Sequence, residues 1–161
     1  MTRTLIGSHG PTTRNRTTNR DEEVADFVAA RQAALLRTAY LLTGDEEAAK
    51  ELVSSSLAAL YLSWRTVGAG GAELFVRRRM VTVFTSPWPL SARRATAGPV
   101  DGDDLWRRIQ ELPRRQRAML VLCLYEGLSQ TEAADLLDIG ENAARTLLLE
   151  ARTALGVHEA V

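Results

Sequence analysis

Residues Leu112 to Leu155 read LPRRQRAMLVLCLYEGLSQTEAADLLDIGENAARTLLLEARTAL, three helices joined by two tight turns. Pro113 suits a helix start, where its missing N–H is not needed, and the first helix runs to about Tyr125. Glu126-Gly127-Leu128 breaks it, because Gly127 can take the left-handed conformation that ends helices. Ser129 opens a short helix, and Glu132 three residues on completes a Ser-x-x-Glu capping box. Ala133, Leu136 and Leu137 face inward. Asp138-Ile139-Gly140 makes the second turn, with Gly140 as an acceptable N-cap. In the longer helix from Glu141, Ala144, Leu148, Ala151 and Leu155 form a one-sided apolar stripe. Short helix, turn and longer helix together give a helix-turn-helix outline.

The wording of this stretch also resembles a known family. Leu112-Pro113, Arg115-Gln116-Arg117, Glu126, Leu128-Ser129 and Glu132-Ala133 follow the phrase of the C-terminal, promoter-reading domain of bacterial sigma factors. The resemblance is to the short two-domain, extracytoplasmic-function type found in actinobacteria.

The whole chain has 161 residues, enough for one or two small domains. At 45% apolar and 25% charged it has the composition of a globular protein, and its formal net charge is zero. Any attraction to nucleic acid must therefore be local. Lys50 is the sole lysine, so nearly every cation is an arginine. Cys123 is the only cysteine, which excludes an intrachain disulfide, and its apolar surroundings suit a buried small hydrophobe. No apolar run is long enough to cross a membrane, and the N-terminus lacks the apolar core of a signal peptide. The expectation is a cytoplasmic protein without a membrane contact.

Residues 1–20, rich in Thr, Asn, Gly and Arg, are expected as a disordered tail. From Asp21 the chain turns helical, and Asp21, Glu22 and Glu23 suit a helix N-terminus. Val24, Val28, Leu35, Ala39 and Leu42 form its stripe, and Thr43-Gly44 stops it. Asp45 caps a second helix, in which Ala49, Leu52, Val53, Leu57, Leu60 and Trp64 face one way. Val67-Gly68-Ala69-Gly70-Gly71 reads as a loop, followed by a third helix with Val76, Met80 and Val83 inward. Pro87 and Pro89 end it. The expected fold is all-α: a three-helix bundle over 21–86, a flexible Pro- and Gly-rich linker over 87–103, and a helix-turn-helix domain over 104–158.

The N-terminal half extends the resemblance. Ala33 and the run Leu35-Leu36-Arg37-Thr38-Ala39-Tyr40-Leu41-Leu42-Thr43-Gly44-Asp45 are similar to the first-helix phrase of the same group, with Glu51-Leu52-Val53 and Phe75-Val76-Arg77-Arg78 continuing it. The resemblance implies a protein that binds core RNA polymerase and directs it to promoter DNA, with an anti-sigma or other protein regulator as a further partner. It places polymerase docking at Glu51, Ser54 and Ser55, on the coiled coil of the largest subunit. It places DNA contacts at Arg114, Arg115, Arg117, Asn142, Arg145 and Thr146, and promoter melting at Phe84, Trp88, Arg93 and Arg94.

Several positions depart from the family phrase. Ser54 and Ser55 replace an amide and a carboxylate, and Thr82 stands where asparagine is usual. Phe84 also reads as core, and Trp88 as packing under the linker. Glu141 and Glu150 offset the cations of the last helix, and of Leu147 and Leu149 at least one should be partly exposed, which suits a protein contact. The alternative is thus a degenerate sigma-like regulator acting by protein–protein contacts without promoter melting. Catalysis finds no support: His9 and His158 form no pair, and there is no phosphate loop, metal-ligand cluster or nucleophile elbow. No enzyme activity, cofactor, metal or small-molecule substrate is expected.

Overall fold

The computed structural model describes residues 12–87 and 104–157, with side chains from residue 19 onward, and every regular element among them is helical. Helix α1 spans Thr12–Thr43 and α2 spans Glu46–Thr85. Between them Gly44 takes φ 72°, and the Asp45 carboxylate accepts from the Ala48 N–H at 2.8 Å, the expected N-cap. The two helices pack along their apolar stripes. Val24, Leu35, Ala39 and Leu42 of α1 meet Ala49, Leu52, Val53, Leu60 and Trp64 of α2 in the core, with Phe27 tilted against Trp64.

Two boundaries differ from the sequence expectation. Helix α1 starts at Thr12, so part of the expected tail is helical, while residues 1–11 lie outside the described residues. Asp21 and Glu23 consequently sit within the helix and make tertiary contacts. Tyr61 donates to Asp21 at 2.9 Å, and Trp64 Nε1 to Glu23 at 2.8 Å. The expected loop at 67–71 is not a loop either. Helix runs through it, broken only at Gly68 (φ 64°, ψ 173°), with Trp64 and Ala72 buried on either side. The two limbs of α2 and α1 therefore supply the three helical segments of the N-terminal bundle.

The C-terminal half begins with α3, Asp104–Glu111, an amphipathic helix whose Trp106 ring stacks on Tyr40 of α1 at 5.4 Å. Helix α4, Arg114–Leu120, follows Pro113 and widens into one turn of π-helix over Val121–Tyr125. Gly127 (φ 71°) ends it, and Leu128 N–H returns to the Leu122 carbonyl at 3.0 Å. Helix α5, Gln130–Leu137, carries the expected capping box: Ser129 accepts from the Glu132 N–H at 3.2 Å, and Glu132 accepts from the Ser129 N–H at 2.8 Å. The left-handed residue of the next turn is Asp138 (φ 53°), and α6, Glu141–Leu155, closes at Gly156 (φ 69°). Ala144, Leu148, Ala151 and Leu155 are its buried positions, the stripe read from spacing.

The two halves touch. Their buried residues form one continuous cluster, in which Leu112, Met119 and Leu122 join Leu42, Met80 and Phe84. The connecting residues 88–103 lie outside the described residues.

Candidate functional site

The helix-turn-helix is held by three polar ties as well as its core. Thr131 at the start of α5 donates to Glu141 at the start of α6 at 3.0 Å. Gln116 of α4 donates to Glu150 of α6 at 2.9 Å, and Arg108 of α3 caps the end of α6 through the Ala154 carbonyl at 2.8 Å. These fix α6 so that its first turns project Asn142, Arg145 and Thr146 outward, all three exposed. Gly140 caps without a side chain, and Thr146 donates to the Asn142 carbonyl at 3.0 Å. Donors at an exposed helix N-terminus are what base-edge reading requires. Farther along the same helix Leu149 stands 64% exposed while Leu147 is half-buried.

The three arginines of α4 separate. Arg115 is exposed. Arg114 is exposed too, but its Nη1 donates to the carbonyls of Phe84 and Ser86 at 3.4 and 3.3 Å. Arg117 corrects the expectation of a surface phosphate contact. It is buried, donating to the Leu42 carbonyl at 2.8 Å, to the Gln110 side chain at 2.7 Å, to the Leu112 carbonyl at 3.0 Å and to the Gln110 carbonyl. Burial first, then the neighbouring Arg114 charge, pushes its guanidinium down to about 10, and it remains a cation at neutral pH.

Phe84 is core, 3% exposed beneath the guanidiniums of Arg114 and Arg117, so it offers no ring for stacking bases. Trp88, Arg93 and Arg94 lie outside the described residues. Glu51, Ser54 and Ser55 line the exposed face of α2, while Leu52, Val53 and Ser56 are buried behind them. Cys123 is half-buried, and desolvation pushes its thiol up, consistent with an apolar role. No group of ligands able to hold a metal ion occurs among the described residues, and no helix among them is long and apolar enough to cross a membrane.

Two contacting groups were missed by reading the sequence. Glu126 accepts from Thr38 of α1 and pairs with Arg77 of α2 at 2.7 Å. Gln110 of α3 donates to the Leu41 carbonyl at 3.2 Å. Both partners come from the other half of the chain, so no local spacing signals them.

The fold and this site define a two-part helical protein ending in a helix-turn-helix. Residues 102–155 match the family model "Sigma-70, region 4". Over 143 residues the chain is 28% identical to the RNA polymerase sigma-E factor of Streptomyces coelicolor, covering 78% of this chain and 80% of that one. Among solved structures, the anti-anti-sigma factor PhyR of Bartonella quintana, complexed with the anti-sigma factor NepR, shares the fold at a TM-score of 0.57 and 20% identity. That match covers 80% of this chain, which spans about half of the PhyR chain, 48%. Residues 102–155 thus match sigma-70 region 4, and most of the chain is similar to a sigma-E factor.

Proposed function

We propose that the chain is a transcription initiation protein that binds core RNA polymerase and directs it to promoter DNA. The observation that carries this reading is the first part of α6, where an intact helix-turn-helix presents Asn142, Arg145 and Thr146 to solvent. Arg145 is the base-edge donor, and Arg115 the outward phosphate contact from α4. The exposed Glu51, Ser54 and Ser55 face of α2 is the polymerase dock. Such a protein acts as a soluble adaptor in the cytoplasm, with no chemistry of its own.

A second reading is supported by Leu149, a large apolar side chain left exposed on the recognition helix. In that reading the chain is a sigma-like regulator working through protein contacts, without promoter melting. The complex of the similarly folded PhyR with NepR supports an anti-sigma type of protein as a further partner.

Fluorescence anisotropy against a pool of promoter duplexes, alongside co-purification with core polymerase, separates the two. Promoter reading requires sequence preference at low salt, lost in Arg145→Ala. Protein docking instead predicts no preference, and a partner interaction abolished by changing the exposed Leu149 to aspartate, Leu149→Asp.

A further inference from the structure

A cleft of about 540 Å³ opens where α1, the start of α2 and the π-turn after α4 meet. That is the size of a site for a small organic molecule. Its walls are apolar: Leu36 and Leu41 of α1, Ala49 of α2, and the rings of Tyr40 and Tyr125. Positions 36, 37, 40 and 41 share one face of α1 over successive turns, which is why one helix supplies half the lining. Ala49 is buried, and its methyl leaves room that a longer side chain would fill. Tyr40 and Tyr125 stay 41% and 50% exposed. Trp106 of α3 stacks on Tyr40 at 5.4 Å and 12°, which holds that ring in place. Among the described residues no ring stacks on Tyr125.

The charges of the lining are Arg37, Glu46 and Lys50, all exposed. Lys50 is held by Glu46 at 2.9 Å and by Glu47 at 3.0 Å, so its ammonium is already answered twice. Two carboxylates against one ammonium leave the α2 side negative. The Arg37 guanidinium makes no ion pair or hydrogen bond among the described residues. The cleft therefore has a positive end at α1 and a negative edge at α2. An anionic group is steered towards Arg37, whose planar fork takes a carboxylate through two bonds.

We propose that this cleft binds a small aromatic carboxylate, its ring against Tyr125 and Leu41 and its carboxylate on Arg37. A flat apolar body uses the uncovered tyrosine face, and a single negative charge answers the one free cation. None of the lining residues belongs to the faces proposed above for polymerase or DNA, so the site stands apart from that reading.

The test titrates the full chain with β-naphthoate, β-naphthamide and β-naphthylmethylammonium, followed by isothermal titration calorimetry. The acid should bind about fivefold more tightly than the amide, as an exposed ion pair allows, and the ammonium most weakly. Arg37→Gln should remove the preference for acid over amide and leave the affinity for the amide unchanged. Tyr125→Ser should weaken acid and amide alike, by about fivefold, through loss of the ring contact. Failure of all three probes to bind overturns the proposal. Equal affinity of the unaltered chain for acid and amide overturns it too, because no charge is then being read. Acid binding that neither variant alters overturns it by placing the ligand elsewhere. Both variants change exposed positions, and the comparison of probes on the unaltered chain needs neither.

Discussion

Arg117 of α4 donates from Nη1 to the carbonyl oxygen of Leu42, 75 positions earlier, at 2.8 Å. A side chain from the C-terminal half thereby completes a helix of the N-terminal half. Arg117→Ala removes this bond together with those to Gln110 and Leu112. Hydrogen bonds to charged groups contribute about 1.5–3 kcal/mol each, offset by the relieved desolvation of the cation, so a net loss of about 1.5–3 kcal/mol is expected. Arg117→Lys should not restore it, since an ammonium lacks the planar fork that spans several carbonyls. Urea denaturation of the three proteins, followed by circular dichroism, measures the differences.

Gly44 is the adjoining weak point. Its φ of 72° disfavours any side chain, and a Cβ there would meet the Gln110 amide head-on. That amide is already held by Arg117 and by the Leu41 carbonyl. Gly44→Ala should cost about 1–2 kcal/mol from the backbone alone, with a further loss from displacing Gln110. Thermal denaturation reads the sum. A change smaller than the backbone cost would mean that the turn relaxes freely.

The capping box of α5 predicts a pH signature. Hydrogen bonds from the Ser129 N–H and hydroxyl hold the Glu132 carboxyl below its ordinary value. A depressed folded-state pKa contributes stability above the unfolded value, which is lost as pH falls through the folded one. Glu132→Gln should flatten that part of the stability profile on the acid side, while leaving the shape near neutrality. Ser129→Ala should cost about 1 kcal/mol at neutral pH. Stability measured by urea titration at a series of acidic pH values checks both.

How much of this was legible depends on whether the determinant was local. Ser129 with Glu132, the left-handed Gly127 and the stripe Ala144, Leu148, Ala151 and Leu155 lie within one or two turns of each other, and each is found where spacing put it. The burial of Arg117 had no such signal. Arg115 has buried Ala118 and Met119 at the third and fourth positions after it, yet is exposed, while Arg117 has buried Leu120 and Val121 there and is covered. What separates them is the end of α1, which arrives from the other half. The start of α1 is not legible in the sequence for a related reason: its first turns have little apolar patterning, and Asp21 and Glu23 are tied to Tyr61 and Trp64 of α2 rather than to a helix end.

The proposed polymerase dock is tested by restoring what the family phrase carries. Ser54→Gln with Ser55→Glu changes two exposed positions without touching buried Leu52, Val53 or Ser56. A desolvated charge-assisted contact is worth about 1.5–3 kcal/mol, and a rim contact less. Affinity for core polymerase should therefore rise several-fold, with helicity unchanged. No gain would place the dock elsewhere.

Run-off transcription tests the central claim most directly. Core RNA polymerase is supplied with this chain and with a template carrying the duplex that the chain selects from a promoter pool. The account predicts a transcript of defined length that requires the chain and falls when Arg145→Ala replaces it. Stable binding of the chain to core polymerase with no chain-dependent transcript from any selected template would contradict it.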